Sequence, residues 1–460
     1  MDSAVQASSD DSAALRQRLR DVFKVWLRVS IAGIGGPALQ IATMHRLCVE
    51  RRRWISEDRF FHALSYCIAM PGPETQQLAI YIAWLSHRMI GGAIAGTLFI
   101  LPGAICMMAL SFGFVTGAES DIGQAIFLGV KPAILAIMVE AILRFGRSVL
   151  PTRTMLAFAG FAFIAAFLKI SFPVIIVVAA AAGFSAAMLD LPGFTSSFKA
   201  APGRELLPHE IALPDHTRPS SKQFIRALGT CITAWLLPVV LLLTILGPSN
   251  IFSQIALLFS KVATMAIGGD YAVIAYAAQQ VVDSYHWVSP REMQEGIAMG
   301  EMVPGTIMIV TQFLGFMAAY RDPGILPPLL AGTFGGLLAT WATFAPCFLW
   351  IFVVAPFIEG LRETPLLDGP LRAVTSAAVG MIINLSVWFG IRTLFHVVEP
   401  VDYGWLNFDV PSIESLDPWA LLLFIVAAIA VLRFKVSAVV TLFASSALGM
   451  LLLLFGFTGR

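Results

Sequence analysis

Two glycine and proline breaks, each set inside a strongly apolar stretch and each present twice, constrain this chain more than any other feature. Gly35 and Gly36 align with Gly268 and Gly269, Trp54 with Trp287, Ser56 with Ser289, and Pro71-Gly72 with Pro304-Gly305, all at an offset of 233 and without a gap. Self-similarity at a fixed offset is the mark of an internal duplication. Gly91-Gly92 and Pro102 match Gly335-Gly336 and Pro346 at an offset larger by 11, which the insert Tyr320-Arg321-Asp322-Pro323-Gly324 supplies. Such breaks interrupt the backbone hydrogen-bond ladder, and at membrane depth they persist only where they line a protein or water cavity. Paired breaks in two repeats are the best pointer in a sequence to a transporter's binding site.

Composition places the breaks in a bilayer. The 460 residues are 58% hydrophobic and 13% charged, with a mean hydropathy of +0.80, so the fold class is an all-α polytopic membrane protein. About 13 apolar segments can be drawn, at 21–45, 60–85, 91–116, 122–143, 154–170, 172–189, 224–247, 250–282, 293–319, 325–356, 370–396, 418–432 and 436–457. The long polar stretch 190–223 holds Pro192, Pro202, Pro208, Pro214 and Pro219 and reads as a linker. The expected organisation is a polar N-terminal segment at 1–20, a first transporter repeat at 21–189, a cytoplasmic linker at 190–223, a connecting transmembrane helix at 224–249 and a second repeat at 250–460. Residues 1–12 show no cleavable signal pattern, so the first apolar segment serves as its own insertion signal. With a net charge of +1 and no basic run interleaved with aromatics, nucleic acid is not an expected partner; the lipid bilayer is. The five cysteines lack CxxC spacing and read as buried thiols, and the seven histidines show no metal spacing, so no metal or other cofactor is expected.

Loop charges set the topology. Residues 397–417 carry Glu399, Asp402, Asp409, Glu414 and Asp417 and no lysine or arginine, whereas Arg144, Arg147 and Arg153 share one loop and Arg433 and Lys435 another. The basic loops, the linker and the N-terminus are therefore expected in the cytoplasm, and 397–417 and the C-terminus outside, in the plasma (inner) membrane. The flanks of the first broken segment are both basic, with Arg16, Arg18, Arg20 and Lys24 before it and Arg46, Arg51, Arg52, Arg53 and Arg59 after it. Re-entrant arms would put both flanks on one side. Spanning or re-entrant, an odd number of crossings separates the copies, so the two repeats are expected to be inverted.

The ordered set of motifs resembles the chromate ion transporter family in its two-domain, long-chain form. The residues that carry the resemblance are Gly35-Gly36-Pro37, Trp54-Ile55-Ser56 through Phe60, Pro71-Gly72-Pro73 with the following glutamines, and Gly91-Gly92 with Leu101-Pro102-Gly103, and in the second copy Gly268-Gly269, Trp287 and Pro304-Gly305. The chain departs from the pattern at Ile34 and Ile267, at Asp270 and at Thr306, which stands where a second PGP would end. The resemblance implies not an enzyme but a secondary transporter that exports chromate, driven by the membrane potential or by proton exchange as an antiporter, and so supports chromate resistance. Sulfate is the isosteric competitor. The alternative is a carrier of sulfate or another oxyanion, working inward. A homodimer is common among such transporters.

A tetrahedral dianion needs several donors and some positive potential. Half-helix N-termini present unpaired N–H groups and about half a unit of positive charge. The expected substrate-binding residues are thus Gly35, Gly36, Pro37, Pro71, Gly72, Pro73, Gly268, Gly269, Pro304 and Gly305 at the breaks, with Thr75, Gln76, Gln77, Thr311 and Gln312 just beyond them. The competing reading is close helix packing by small residues. Of the intramembrane charges, Arg28 and Lys131 would counter the anion, and Glu74, Glu140, Asp270 and Glu301 would carry a coupled proton.

Overall fold

The duplication is visible in the backbone itself. The structure, a computed structural model, describes residues 22–31, 37–117, 120–189, 220–265, 270–358, 368–402 and 407–455. Helix α1 (22–31) is followed by α2 (Pro37–Met44), which widens into a π-helical turn at His45–Arg51. Arg53 then takes a left-handed φ of 51°, and Ser56 caps α3 (Glu57–Ala69) by accepting from the Arg59 N–H. After α3 the chain turns extended at Met70 (ψ 152°), passes Gly72 at φ 111°, and enters α4 (Glu74–Gly117).

The second copy repeats each step. Helix α10 (Asp270–Ala278) widens at Gln279–Ser284, His286 takes φ 53°, and Ser289 caps α11 (Pro290–Met302) in a capping box with Glu292. Val303 is extended (ψ 152°), Gly305 lies at φ 108°, and a 3₁₀ turn at Ile307–Ile309 leads into α12 (Val310–Arg321). Even individual hydrogen bonds recur at the offset of 233: Arg52 N–H to the Leu47 carbonyl and Tyr285 N–H to Gln280, Trp54 N–H to Cys48 and Trp287 N–H to Val281. Only glycine tolerates φ near +110° without strain, which accounts for the glycine in both breaks.

The remaining helices are α5 (Asp121–Val149), α6 (Arg153–Phe167), α7 (Phe172–Met188), α8 (Ser221–Leu246), α9 (Ile251–Met265), α13 (Pro328–Ile358), α14 (Asp368–Leu394), α15 (Pro418–Leu432) and α16 (Ala438–Leu454). All fall within the apolar segments read from the sequence or within a few residues of them. Among the described residues five, α4, α5, α8, α13 and α14, are long and apolar enough to cross a membrane, and several shorter ones are apolar. Helix α4 is not continuous: at His87 (φ −138°) and Arg88 (φ 55°, ψ −157°) it divides into arms at 74–86 and 89–117. The acidic stretch after α14 forms an antiparallel hairpin of β1 (Val398–Asp402) and β2 (Asn407–Pro411), and Asp417 caps α15. Outward faces of α7, α8 and α16 expose Val177, Leu237, Ile245 and Phe443, as lipid-facing helices do.

Packing relies on small residues. A Cβ on Gly129 of α5 would lie 1.9 Å from the Ser445 carbonyl of α16, and one on Gly380 of α14 would lie 2.0 Å from the Ala159 carbonyl of α6. Among the described residues two large apolar cores result, beside a small cluster of Met155, Ala186 and Ala373, and neither large core follows the halves of the sequence. One joins α1 to α4 with α8 and the C-terminal part of α13, around Trp26, Tyr81 and Phe352. The other joins α9 to α12 with α5 to α7 and α14, around Phe259, Phe313 and Phe389. Each core thus takes a long helix from the opposite copy.

Candidate functional site

The exchange of helices brings the two breaks together. Gly103, in the Leu-Pro-Gly motif of α4, lies against the second break, where a Cβ would come within 2.3 Å of the Pro304 carbonyl. Its counterpart on α13, Cys347, lies against the first break, its Sγ 2.9 Å from where a Gly72 Cβ would sit. Gln40, in the first turns of α2, reaches across to donate from Nε2 to the Gly305 carbonyl at 2.6 Å. The breaks, α4, α13 and α2 therefore form one buried junction. Gln40 was legible only as an unexplained polar residue one turn beyond Gly-Gly-Pro.

At the first break the polar residues are buried and incompletely satisfied. Thr75, Gln76 and Gln77 are fully inaccessible. The Gln77 amide donates to the Pro71 carbonyl at 2.6 Å and the Gln76 amide to the Gly96 carbonyl at 3.5 Å. Both amide N–H groups, expected to face an anion, thus go to backbone carbonyls. Left without a partner are Thr75 Oγ1, Gln76 Oε1, Gln77 Oε1 and Glu74 Oε2. Buried polar atoms are rarely orphaned, and each such group calls for an explanation. The side-chain donor left without a partner here is the Thr75 hydroxyl.

The second break is different. Thr311 donates to the Met308 carbonyl and accepts from Thr343, while Gln312 donates to the Ala104 carbonyl and accepts from Thr340. These side chains are fully engaged. Asp270 and Thr306, the two departures from the family pattern, prove to be partners: the Thr306 hydroxyl donates to Asp270 Oδ2 and also accepts from the Met308 N–H. Asp270 Oδ1 remains buried and unpartnered. Glu74 and Asp270 lie within reach of each other's charge, and Cys347 lies within that of Asp270. The neighbouring Tyr271 hydroxyl donates to the buried Glu301.

The expected countercharges sit elsewhere. Lys131 on α5 pairs with Glu295 of α11 at 3.0 Å, and Glu295 also accepts from Arg291 at 2.9 Å. Arg28 is exposed on α1, and Glu140 pairs with Arg144 at 3.5 Å. Pro37 opens α2 opposite Asp270 in the alignment of the copies, but its side chain, with Gly35, Gly36, Gly268 and Gly269, lies outside the described residues. Pro71, Pro73 and Pro304 flank the glycines as the motif requires. Among the described residues no three His, Cys, Asp or Glu side chains are grouped to hold a metal ion, and no two cysteines are bonded.

Paired broken helices around a buried polar junction, within helices long enough to cross a bilayer, define a polytopic integral membrane protein of transporter type. Residues 20–184 and 253–450 match the chromate transporter family, and the chain belongs to it. It is 25% identical over 381 residues to the chromate transport protein of Cupriavidus metallidurans, covering 82% of this chain and 84% of that one. It is 24% identical over 421 residues to the probable chromate transport protein of Synechococcus elongatus, covering 90% and 94%. The chromate transport protein of Pseudomonas aeruginosa is 26% identical over 366 residues, 78% of each chain. No solved structure matches this chain.

Proposed function

We propose that this protein carries chromate, a tetrahedral oxyanion, out of the cytoplasm by alternating access, with the oxyanion bound at the first-copy break. The observation that carries the reading is the buried Thr75 hydroxyl, an unpartnered donor on the first turn of α4, set against a second copy whose Thr311 is satisfied; the unpartnered Gln76, Gln77 and Glu74 oxygens beside it are acceptors, which a proton or a water completes. A buried group left unpaired costs about 1–3 kcal/mol, so such a set is retained where a ligand or a proton completes it. Helix α3 and the first arm of α4 are 13 residues each, about 20 Å, against a hydrocarbon core of roughly 30 Å. Neither crosses alone, and their junction falls at membrane depth. We read the two copies as inverted repeats, with the linker 190–223 and the N-terminus in the cytoplasm and the hairpin outside.

Asp270 supplies the reason to couple the anion to protons. At an effective dielectric of 20, a carboxylate and a dianion about 6 Å apart repel by on the order of 5 kcal/mol. A proton on Asp270 or Glu74 removes most of that cost and moves with the cargo, so on this reading export is driven by the membrane potential acting on the net negative load rather than by exchange for protons. The Asp270–Thr306 pair is particular to the second break of this chain, and it favours a second reading in which sulfate or another oxyanion is the preferred cargo.

The test is chromate accumulation in everted vesicles containing wild type, Gln77→Ala or Pro71→Ala, with and without excess sulfate. Export is supported if wild type loads the vesicles, sulfate competes, and both variants reach the membrane but lose loading. Loading of sulfate without chromate would select the second reading, and movement of neither would reject both.

A further inference from the structure

At the far end of α10 from Asp270, a cavity of about 310 Å³ opens between the α6–α7 junction, the π-helical turn, α14 and the hairpin. The 13 residues from Asp270 to Asp283 place it about 20 Å along the helix from the central junction. Its polar lining converges from four elements: Lys169 between α6 and α7, Gln279 and Asp283 on the π-helical turn, Arg392 with Trp388 on α14, and Asp409 on β2. The Arg392 guanidinium lies 4.8 Å from the Trp388 ring centroid and gives Nη2 to Asp409 at 2.6 Å. Its Nη1 is buried and has no acceptor. Lys169 holds a left-handed φ of 57°, and its carbonyl accepts from Gln279 at 3.5 Å.

A partly buried guanidinium that is clamped on one side, stacked on an indole and left with one unfilled donor is preorganised for an oxyanion. Asp409 already occupies the other side of the fork. The volume admits a tetrahedral ion together with several waters. We propose that this cavity is a second oxyanion site, a vestibule on the hairpin face in which Arg392 Nη1 and Lys169 receive a dianion of the sulfate and chromate type. The proposal rests on the reading of the chain as an oxyanion carrier and adds to it a site that the breaks do not supply.

Asp283 gives the vestibule a dependence on pH. It lies one residue beyond the apolar segment 250–282, and partial burial pushes its carboxyl above the usual range, Lys169, Arg392 and His286 opposing the shift and Asp409 adding to it. Protonated, it removes a repelling charge and offers a donor. Oxyanion binding therefore tightens as pH falls through the Asp283 titration.

Trp388 is a built-in reporter. Full-length protein in detergent is titrated with sulfate, which is colourless, while tryptophan emission is followed at mildly acidic and mildly alkaline pH. The expected result is a saturable change that Trp388→Phe abolishes. Arg392→Gln weakens sulfate binding by roughly tenfold to a hundredfold, the loss of one charge-assisted hydrogen bond. Because Arg392→Gln also releases the hairpin, Lys169→Gln is the second variant, expected to weaken binding with Arg392 in place. Asp409→Asn, which frees the guanidinium, tightens it, and Asp283→Asn flattens the pH dependence. The vestibule is overturned if Trp388→Phe retains the full emission change, or if Arg392→Gln and Lys169→Gln both bind sulfate as wild type does. A failure of chromate loading in vesicles would reject the carrier reading through a different measurement, leaving the titration to decide the vestibule.

Discussion

Replacing Gly72 with alanine probes both the broken helix and the exchange of helices that covers it. Two costs add. At φ 111° an L-residue is strained by about 1–3 kcal/mol. The new Cβ also lies 2.9 Å from Cys347 Sγ and 3.0 Å from Gln77 Nε2, an overpacking worth about 1–3 kcal/mol. If Gln77 gives way, its bond to the Pro71 carbonyl goes too, adding about 1 kcal/mol. With all three costs Gly72→Ala should therefore destabilise by roughly 3–7 kcal/mol. Gly305→Ala is the internal control. Its φ of 108° is nearly identical, yet the nearest atom to its Cβ is the Phe99 carbonyl oxygen at an ordinary 3.5 Å, so only the backbone cost of about 1–3 kcal/mol applies. Unfolding of the two variants in one detergent, by titration with a denaturing surfactant, measures the difference. Cys347→Ala destabilises wild type but should recover part of the loss in the Gly72→Ala background, since the contact is shared. Equal destabilisation of the two glycine variants, or no recovery with Cys347→Ala, would refute the packing of α13 on the first break.

Other outcomes follow from the same geometry. Thr306→Val leaves both oxygens of Asp270 without a donor and should cost more stability than Asp270→Ala alone, with the double variant less harmed than the sum by about 0.5–3 kcal/mol in a double-mutant cycle. Lys131→Met leaves Glu295 paired with Arg291 and should be mild, whereas Glu295→Leu strands a Lys131 that is only 15% exposed and should cost about 3–5 kcal/mol in the same unfolding assay. Because burial raises the Asp283 carboxyl above its unfolded value, its contribution to stability is fully present below the unfolded value and lost as pH rises through the folded one. Asp283→Asn should accordingly flatten the fall in melting temperature on the alkaline side of that titration. Gly129→Ala, with a Cβ 1.9 Å from the Ser445 carbonyl, should drive α5 and α16 apart and lower the yield of folded protein more than Gly113→Ala, where nothing lies within 4 Å.

Much of this was legible because the determinants are local. The offset of 233 carried over into matched caps, π-helical turns and left-handed residues, since Ser56 and Ser289, or Gly72 and Gly305, set backbone geometry through their immediate neighbours. The apolar runs located the helices for the same reason. Thr75, Gln76 and Gln77 could be singled out from their place one turn past a break, but the direction of their amide groups could not. That direction depends on the Pro71 and Gly96 carbonyls, and the second of these belongs to the far arm of α4. Lys131 reads in the sequence as a lone intramembrane cation; it is paired with a residue 164 positions away.

The sequence by itself determined a duplicated, membrane-embedded helical chain, the places where its helices break, and the family to which it belongs. Those properties are written in hydrophobic periodicity and in the backbone demands of glycine and proline, which act over a few residues. Only the tertiary structure decided that the C-terminal parts of α4 and α13 each pack on the opposite copy, that Asp270 and Thr306 compensate each other, that the glutamines and threonine past the first break keep unsatisfied atoms while Thr311 and Gln312 past the second do not, and that Arg392 lines a cavity. Each of these depends on side chains meeting across tens to hundreds of residues, and that distance has no trace in local pattern.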